Sequence, residues 1–229
     1  MSRMYTNTKT WNPFKGCEYD CIYCRPSFQA QAKRHKHLCM KCYNYTPHYH
    51  PERLSKIPSA DIVFVCGNGD ISFADPDYTH RIIDFINEHR WRCPHKIYYF
   101  QSKRPEYFEQ FIPYFPPNVK LVTTLETNRD EGYEKIAKAP LPSERYQQFL
   151  ELDYHRKVIT TEPLMDFDLE EFTSWIVNID PEYMWVGFNS RPRQVQLPEP
   201  SVEKLLAFTA ALKQAGVQIK AKDLRGLEI

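Results

Sequence analysis

The chain has 229 residues, 30 basic and 29 acidic, for a formal charge of +1; this balance excludes a global field that gathers nucleic acid. Hydrophobic residues make up 42% and aromatics 14% of a chain with only 7 glycines, which excludes a disordered chain and supports one large folded domain or two small ones. No apolar run is long enough to span a membrane, and the opening MSRMYTNTKTWNP lacks the apolar stretch of a signal peptide, so a cytoplasmic protein without membrane partners is expected.

In chain order, Thr8–Trp11 can supply a first strand, and a loop with Cys17, Cys21 and Cys24 follows at once. Residues 25–57 break the pattern of what comes after. They hold Cys39, Cys42, four of the eight histidines and seven basic residues against one acid, Glu52. This stretch reads as an elaboration on a single domain spanning residues 1–229. From residue 60 the chain repeats an apolar run, a polar turn and a helical stretch. The runs are DIVFVCG from 61, KIYYFQS from 96, NVKLVTT from 118, RKVITTE from 156, EYMWVGF from 182 and VQIKAK from 217. They are short and mostly apolar on both faces, as buried parallel strands are.

The intervening helices are expected over Asp75–Glu88, Pro105–Phe111, Ser143–Leu152, Asp168–Asn178 and Pro200–Ala215. Asp75-Pro76 pairs a capping residue with a proline suited to the first helical position. Gly216 is placed to stop the last helix. Strand and helix in alternation predict an α/β fold, a partial (β/α) barrel of about six or seven βα units. An open doubly wound sheet is the alternative.

The three thiols of GCEYDCIYC are spaced C-x3-C-x2-C. Seven cysteines, odd in number and clustered, favour metal ligation over disulfides in a reducing compartment. Thiolates are soft ligands that suit iron–sulfur clusters and zinc. Three of them around a [4Fe–4S] cube leave one iron open to another ligand; a zinc site completed by Cys39 or a histidine uses the same residues differently.

C-x3-C-x2-C directly after a first strand resembles the signature of the radical S-adenosylmethionine (SAM) superfamily. Further stretches, TWNPFKGCEYDCIYC from 10, CMKCYNYTPHYHPERL from 39, YFQSKRPEYF from 99 and TEPL from 161, resemble its phage-protein-like branch over nearly the whole chain. The resemblance implies a radical SAM-like partial barrel with a [4Fe–4S] cluster on Cys17, Cys21 and Cys24. SAM would chelate the open iron, and reductive cleavage would start hydrogen abstraction from a substrate that the resemblance does not name. It also implies a reductant such as flavodoxin or ferredoxin, and an aromatic, here Tyr23, near the adenine.

In βα barrels the working groups sit at the C-terminal strand ends. That rule gathers Gly67, Asn68, Gly69 and Asp70 after one run; two glycines let a ligand approach the backbone or simply make a tight turn. The Gly-Gly-Glu-like segment found here in many radical SAM proteins is not matched. Further ends supply Gln101 to Arg104, then Thr123, Thr124, Glu126 and Asn128, then Glu162, and then Asn189 to Arg191 with Lys222 and Asp223. Thr124, Glu126 and Glu162 are the expected SAM contacts among these.

Cys39, Cys42, His48 and His50 read C-x2-C-x5-H-x-H, a plausible ligand set for zinc or a second iron–sulfur cluster. Tyr43, Tyr45 and Tyr49 lie among the basic residues of the same segment. Ring stacking with phosphate contacts would admit a nucleic acid or nucleotide. Two functions follow: a radical SAM enzyme, or a zinc-stabilised nucleic-acid-binding protein without catalysis.

Overall fold

The computed structural model describes residues 7–229, so the signal-peptide reading of the first residues lies partly outside the described chain. Elements follow in the order β1 (Thr8–Trp11), β2 (Phe14–Lys15), α1 (Ala30–Ala32), α2 (Met40–Asn44), β3 (His48–Tyr49), β4 (Ile62–Val65), α3 (Pro76–Arg90) and β5 (Ile97–Gln101). They continue with β6 (Val119–Thr124), α4 (Pro142–Glu151), β7 (Lys157–Thr161), α5 (Leu169–Ile179), β8 (Tyr183–Val186), α6 (Val202–Gln214) and β9 (Ile219–Ala221). Every expected strand forms within a residue or two of its apolar run.

Seven strands make one sheet in the order β1-β4-β5-β6-β7-β8-β9, each pair parallel. Each strand adds beside its predecessor. The order never reverses, as it would at the switch point of a doubly wound sheet, and the sheet curls into a half-barrel. β2 and β3 form a separate antiparallel ribbon, with Phe14 opposite Tyr49 and Lys15 opposite His48.

Period-two alternation divides the sheet between two environments. Val63, Val65, Tyr98, Phe100, Leu121, Ile159, Met184 and Val186 pack outward onto Ile82 and Ile86 of α3, Phe172 and Ile176 of α5, and Phe208 and Leu212 of α6. At about 25 cal/mol per Å² of apolar surface, this layer dominates the favourable side of folding. The alternate residues Tyr99, Val122, Val158, Tyr183 and Trp185 form a second cluster on the concave face. Near the N-terminal strand ends Lys120 lies over the rings of Tyr99 and Tyr183 and bonds Glu182. The concave face turns polar toward the opposite end, where Thr10, Gln101, Thr160 and Glu162 line a cleft.

Local chemistry sets the helix limits. The Asp75 carboxylate accepts from the Asp77 amide at 2.9 Å, and Ser201 caps α6 in the same way. Gly216, at φ +86°, takes the left-handed conformation that ends α6. Pro105–Tyr114 is a 3₁₀ helix, not an α-helix. Pro113 inside it lacks the amide, and its ring opposes α-helical continuation.

Candidate active site

The cysteine loop is held from three sides. The Gly16 amide donates to the Asn68 carbonyl at 3.1 Å, and the Gly16 carbonyl accepts from the Asp70 amide at 3.1 Å, which ties the loop to the end of β4. The Cys17 amide donates to the Tyr45 carbonyl at 3.1 Å. On the far side, the Ile22 amide reaches the Ile136 carbonyl at 2.9 Å and the Lys138 amide reaches the Tyr19 carbonyl at 2.6 Å.

Gly69 has a role that the sequence did not disclose. A Cβ there would lie 2.5 Å from the Gly16 oxygen and 2.7 Å from its nitrogen, so the glycine lets two backbones meet. Gly16 itself has φ +96°, and a Cβ on it would fall 2.2 Å from the Thr46 oxygen. Of the two glycines after β4, Gly69 thus serves the seating of the loop. Gly67 also faces the cavity beside Thr10 and Phe64.

The three thiols lie at a cavity of about 140 Å³, together with Tyr19, Tyr23, Tyr45, Gly67, Gly69, Asp70, Gln101, Lys103, Thr124 and Glu162. A second cavity of about 390 Å³ shares Tyr23, Phe28, Gly67, Gln101 and Glu162 with it. The two make one cleft across the C-terminal strand ends. Apolar backing comes from Tyr19, Tyr133, Ala137 and Met165. A hydrogen bond from Cys24 draws the Cys21 thiol down to about 6 against the effect of burial, with help from Lys103. Cys17 is pushed up by burial and by the charge of Asp70. Cys24 is raised by donating to Cys21 and by burial.

The expected ligand contacts divide into those at the cleft wall and those behind it. Thr124 lines the cavity and accepts from Gln101 Nε2 at 3.1 Å. Glu162 lines both cavities and meets Lys222 Nζ at 2.5 Å. Burial raises its carboxyl while Lys222 opposes the rise. Asp70 also faces the cavity, but four donors already engage its carboxylate: the Ser72 amide at 3.0 Å, Ser72 Oγ at 2.8 Å, Ser102 Oγ at 2.7 Å and the Lys103 amide at 2.9 Å. It ties the end of β4 to the end of β5. Asn68 turns aside to a smaller neighbouring recess with Lys15 and Tyr45, its amide held by Asn12 Oδ1 at 2.9 Å.

Glu126 lies beneath the cleft, fully buried. Its Oε1 binds Lys103 Nζ, the Tyr23 hydroxyl and, at 3.1 Å, the Tyr133 hydroxyl. Its Oε2 binds Arg145 Nη1 at 2.7 Å. Burial alone would raise this carboxyl, yet Arg145 and Lys103 hold it at about 2. Glu126 therefore orients Tyr23 and Lys103, which do face the cleft. Thr123 and Asn128 are likewise engaged elsewhere, with the Ser102 carbonyl and with Glu171. Asn189, Ser190, Arg191 and Lys222 line the larger cavity, whereas Asp223 is not among its lining residues.

The histidine segment forms a second centre. Cys39 Sγ lies 3.4 Å from His48 Nε2, and Cys42 Sγ lies 3.3 Å from both His48 Nε2 and His50 Nε2. Among the described residues this is the only group of three or more His, Cys, Asp or Glu side chains whose ligand atoms gather closely enough to share one ion, all within 4.8 Å. Cys39 is therefore committed here and not to the cysteine loop. Among the described residues no histidine and no fourth cysteine lines the loop's cavity.

The sequence pattern gives Tyr19, Phe28, Tyr133 and Arg145 no site role, and Tyr45, expected among the stacking rings of the basic segment, lines the thiol cavity. Arg145 gives no signal, since it sits in an ordinary helix and meets Glu126 only through folding. Tyr19 and Tyr45 flank the cysteines and the histidine segment closely enough for proximity to have suggested them.

No protein-family model and no curated protein matches the sequence. Solved structures do match. A radical SAM methyltransferase from Sphaerobacter thermophilus superposes with a TM-score of 0.57 at 13% identity, over 92% of this chain and 64% of that one. SuiB of Streptococcus suis, bound to its precursor peptide SuiA, superposes with a TM-score of 0.64 at 11% identity, over 98% and 50%. The fold is thus the partial barrel found in these structures, and the chain spans between half and two thirds of their length. No helix among the described residues is long and apolar enough to cross a membrane.

Proposed function

We propose that the chain is a radical SAM enzyme, with Cys17, Cys21 and Cys24 as ligands of a [4Fe–4S] cluster and the cleft behind them as the SAM and substrate site. The observation that carries this reading is the convergence of three soft thiols, without a fourth cysteine or histidine among the described residues, on one cavity at the C-terminal mouth of a parallel half-barrel. The donor set suits a cluster with one iron left to a ligand. The carboxylate of Asp70, at the same cavity, is already taken by four donors. When bound, the cluster and SAM supply reductive carbon–sulfur cleavage and hydrogen abstraction from substrate; the protein's part is placement and shielding.

In this reading Tyr23 and Lys103, held from below by Glu126, form the polar wall beside the thiols. Gln101 and Thr124 offer hydrogen bonds at the adjoining strand ends, and Gly67 permits close approach to the backbone. Glu162 and Lys222 present an ion pair to the shared part of the cleft, suited to a ribose hydroxyl or to a zwitterionic group. The larger cavity, with Arg191, Asn189 and Phe188, would take the substrate. A nucleotide is one chemistry it would admit, and a flavodoxin or ferredoxin would deliver the electron.

The alternative of a nucleic-acid-binding module is disfavoured, because such a module has no use for a seven-stranded barrel wall with a polar cleft at its mouth. Anaerobic reconstitution should give about four irons per chain on these ligands and, under reduction, SAM cleavage to 5′-deoxyadenosine. Cys21→Ala should abolish the cleavage. Full cleavage by that variant would remove the mechanism.

A further inference from the structure

The Cys39, Cys42, His48 and His50 group has the dimensions of a site for one ion. With metal–sulfur bonds of about 2.3 Å and metal–nitrogen bonds of about 2.0–2.1 Å, a tetrahedral centre sets its sulfur and nitrogen ligands about 3.5 Å apart. Three of the four sulfur–nitrogen distances are 3.3 to 3.4 Å, and all four ligand atoms lie within 4.8 Å of one another. A cluster spreads its ligands over different irons and needs wider spacing. Cys42, His48 and His50 are buried, and Cys39 is partly so.

The surroundings orient all four groups toward one point. His48 Nδ1 lies 2.7 Å from the Thr46 carbonyl, and His50 Nδ1 lies 2.9 Å from Glu52 Oε1. Each ring thereby donates through Nδ1 and turns the lone pair of Nε2 inward, the usual support of a metal-binding imidazole. Cys39 Sγ accepts from the Cys42 amide at 3.4 Å, a bond that favours the thiolate.

We propose that these four residues bind a single structural zinc ion, and that the ion clamps the floor of the cysteine loop. On binding, each thiol gives up its proton. Zinc with two thiolates and two neutral imidazoles then carries no net charge, which suits a largely buried centre. Four protein ligands close the coordination sphere, as in structural sites.

The connection to the loop is short. His48 stands opposite Lys15 in the β2–β3 ribbon, directly before Gly16. The His50 amide donates to the Pro13 carbonyl at 2.6 Å. Thr46, the partner of His48, fills the space that a Cβ on Gly16 would need, and Tyr45 accepts from the Cys17 amide. The ion thus fixes both strands of the ribbon from which the cysteine loop springs.

The clamp is tested on the full chain by metal analysis, cobalt substitution and hydrogen exchange, none of which depends on turnover. One zinc per chain is expected, retained when Cys17, Cys21 and Cys24 are all replaced by alanine. It should be lost in Cys42→Ser. Cobalt(II) titrated into chelator-treated protein should give the intense visible bands of a tetrahedral thiolate site. His50→Cys should keep the metal and strengthen the thiolate-to-cobalt bands, which guards against a variant that merely misfolds. Zinc removal should accelerate exchange at the Cys17 and Thr46 amides. Cobalt bands that are absent or octahedral would overturn the site, as would iron and sulfide retained in the triple alanine variant. Unchanged exchange at Cys17 after zinc removal would overturn the clamp.

Discussion

Glu126 and Arg145 form a fully buried pair beneath the cleft, with Oε2 and Nη1 2.7 Å apart and neither side chain exposed. Holding at about 2 a carboxyl that ordinarily titrates at 4.5 corresponds to about 3 kcal/mol of folding stability. The folded value is the lower one. The contribution is therefore complete above 4.5 and disappears as the pH falls from 4.5 toward 2. Removing the cation should cost more than the pair contributes, because it leaves a buried charge with only Lys103 as a counter-ion. Arg145→Met is expected to destabilise by about 3 kcal/mol or more at neutral pH. The double variant Glu126→Gln, Arg145→Met should recover part of the loss, since no buried charge is stranded. Urea denaturation of the reduced, metal-free chain between pH 3 and pH 7 would measure these differences. Equal acid sensitivity of Glu126→Gln and the wild type, or a cost below about 1 kcal/mol for Arg145→Met, would refute the reasoning, as the latter is the range of an exposed ion pair.

Gly69→Ala pushes a Cβ against the Gly16 backbone at 2.5 Å, where no flexible side chain can yield. A loss of about 1–3 kcal/mol is expected, together with lower iron loading; thermal unfolding and iron analysis would check both, and a variant as stable and as loaded as the wild type would contradict the close approach. Lys222→Met removes the cation that opposes the burial-driven rise of the Glu162 carboxyl. That carboxyl should then ionise at a higher pH, which carbon-13 NMR of labelled glutamate would follow; an unmoved titration would separate the two groups.

The apolar runs of β6, β7 and β8 specify their strands because each is buried on both faces, so composition and length alone carry the signal; β4, β5 and β9 keep partly exposed positions. β6, β7 and β8 are buried at every position. The spacing of Cys17, Cys21 and Cys24 is equally local, and so is the pairing of His48 with His50, since residues two apart in extended chain share a face. Other features depend on where distant segments meet. The sequence does not indicate that Arg145 would cross 19 positions to neutralise Glu126. It also does not indicate that Gly69 serves Gly16, or that Asp70 would spend its carboxylate on Ser72 and Ser102. Strand ends announced the region of the cleft through a rule of βα topology, but which of their polar groups face it was decided by packing. Patterns of burial and short spacing are written within a few consecutive residues. Charge compensation in a dry interior depends on the three-dimensional distances between groups, and only the folded chain sets those.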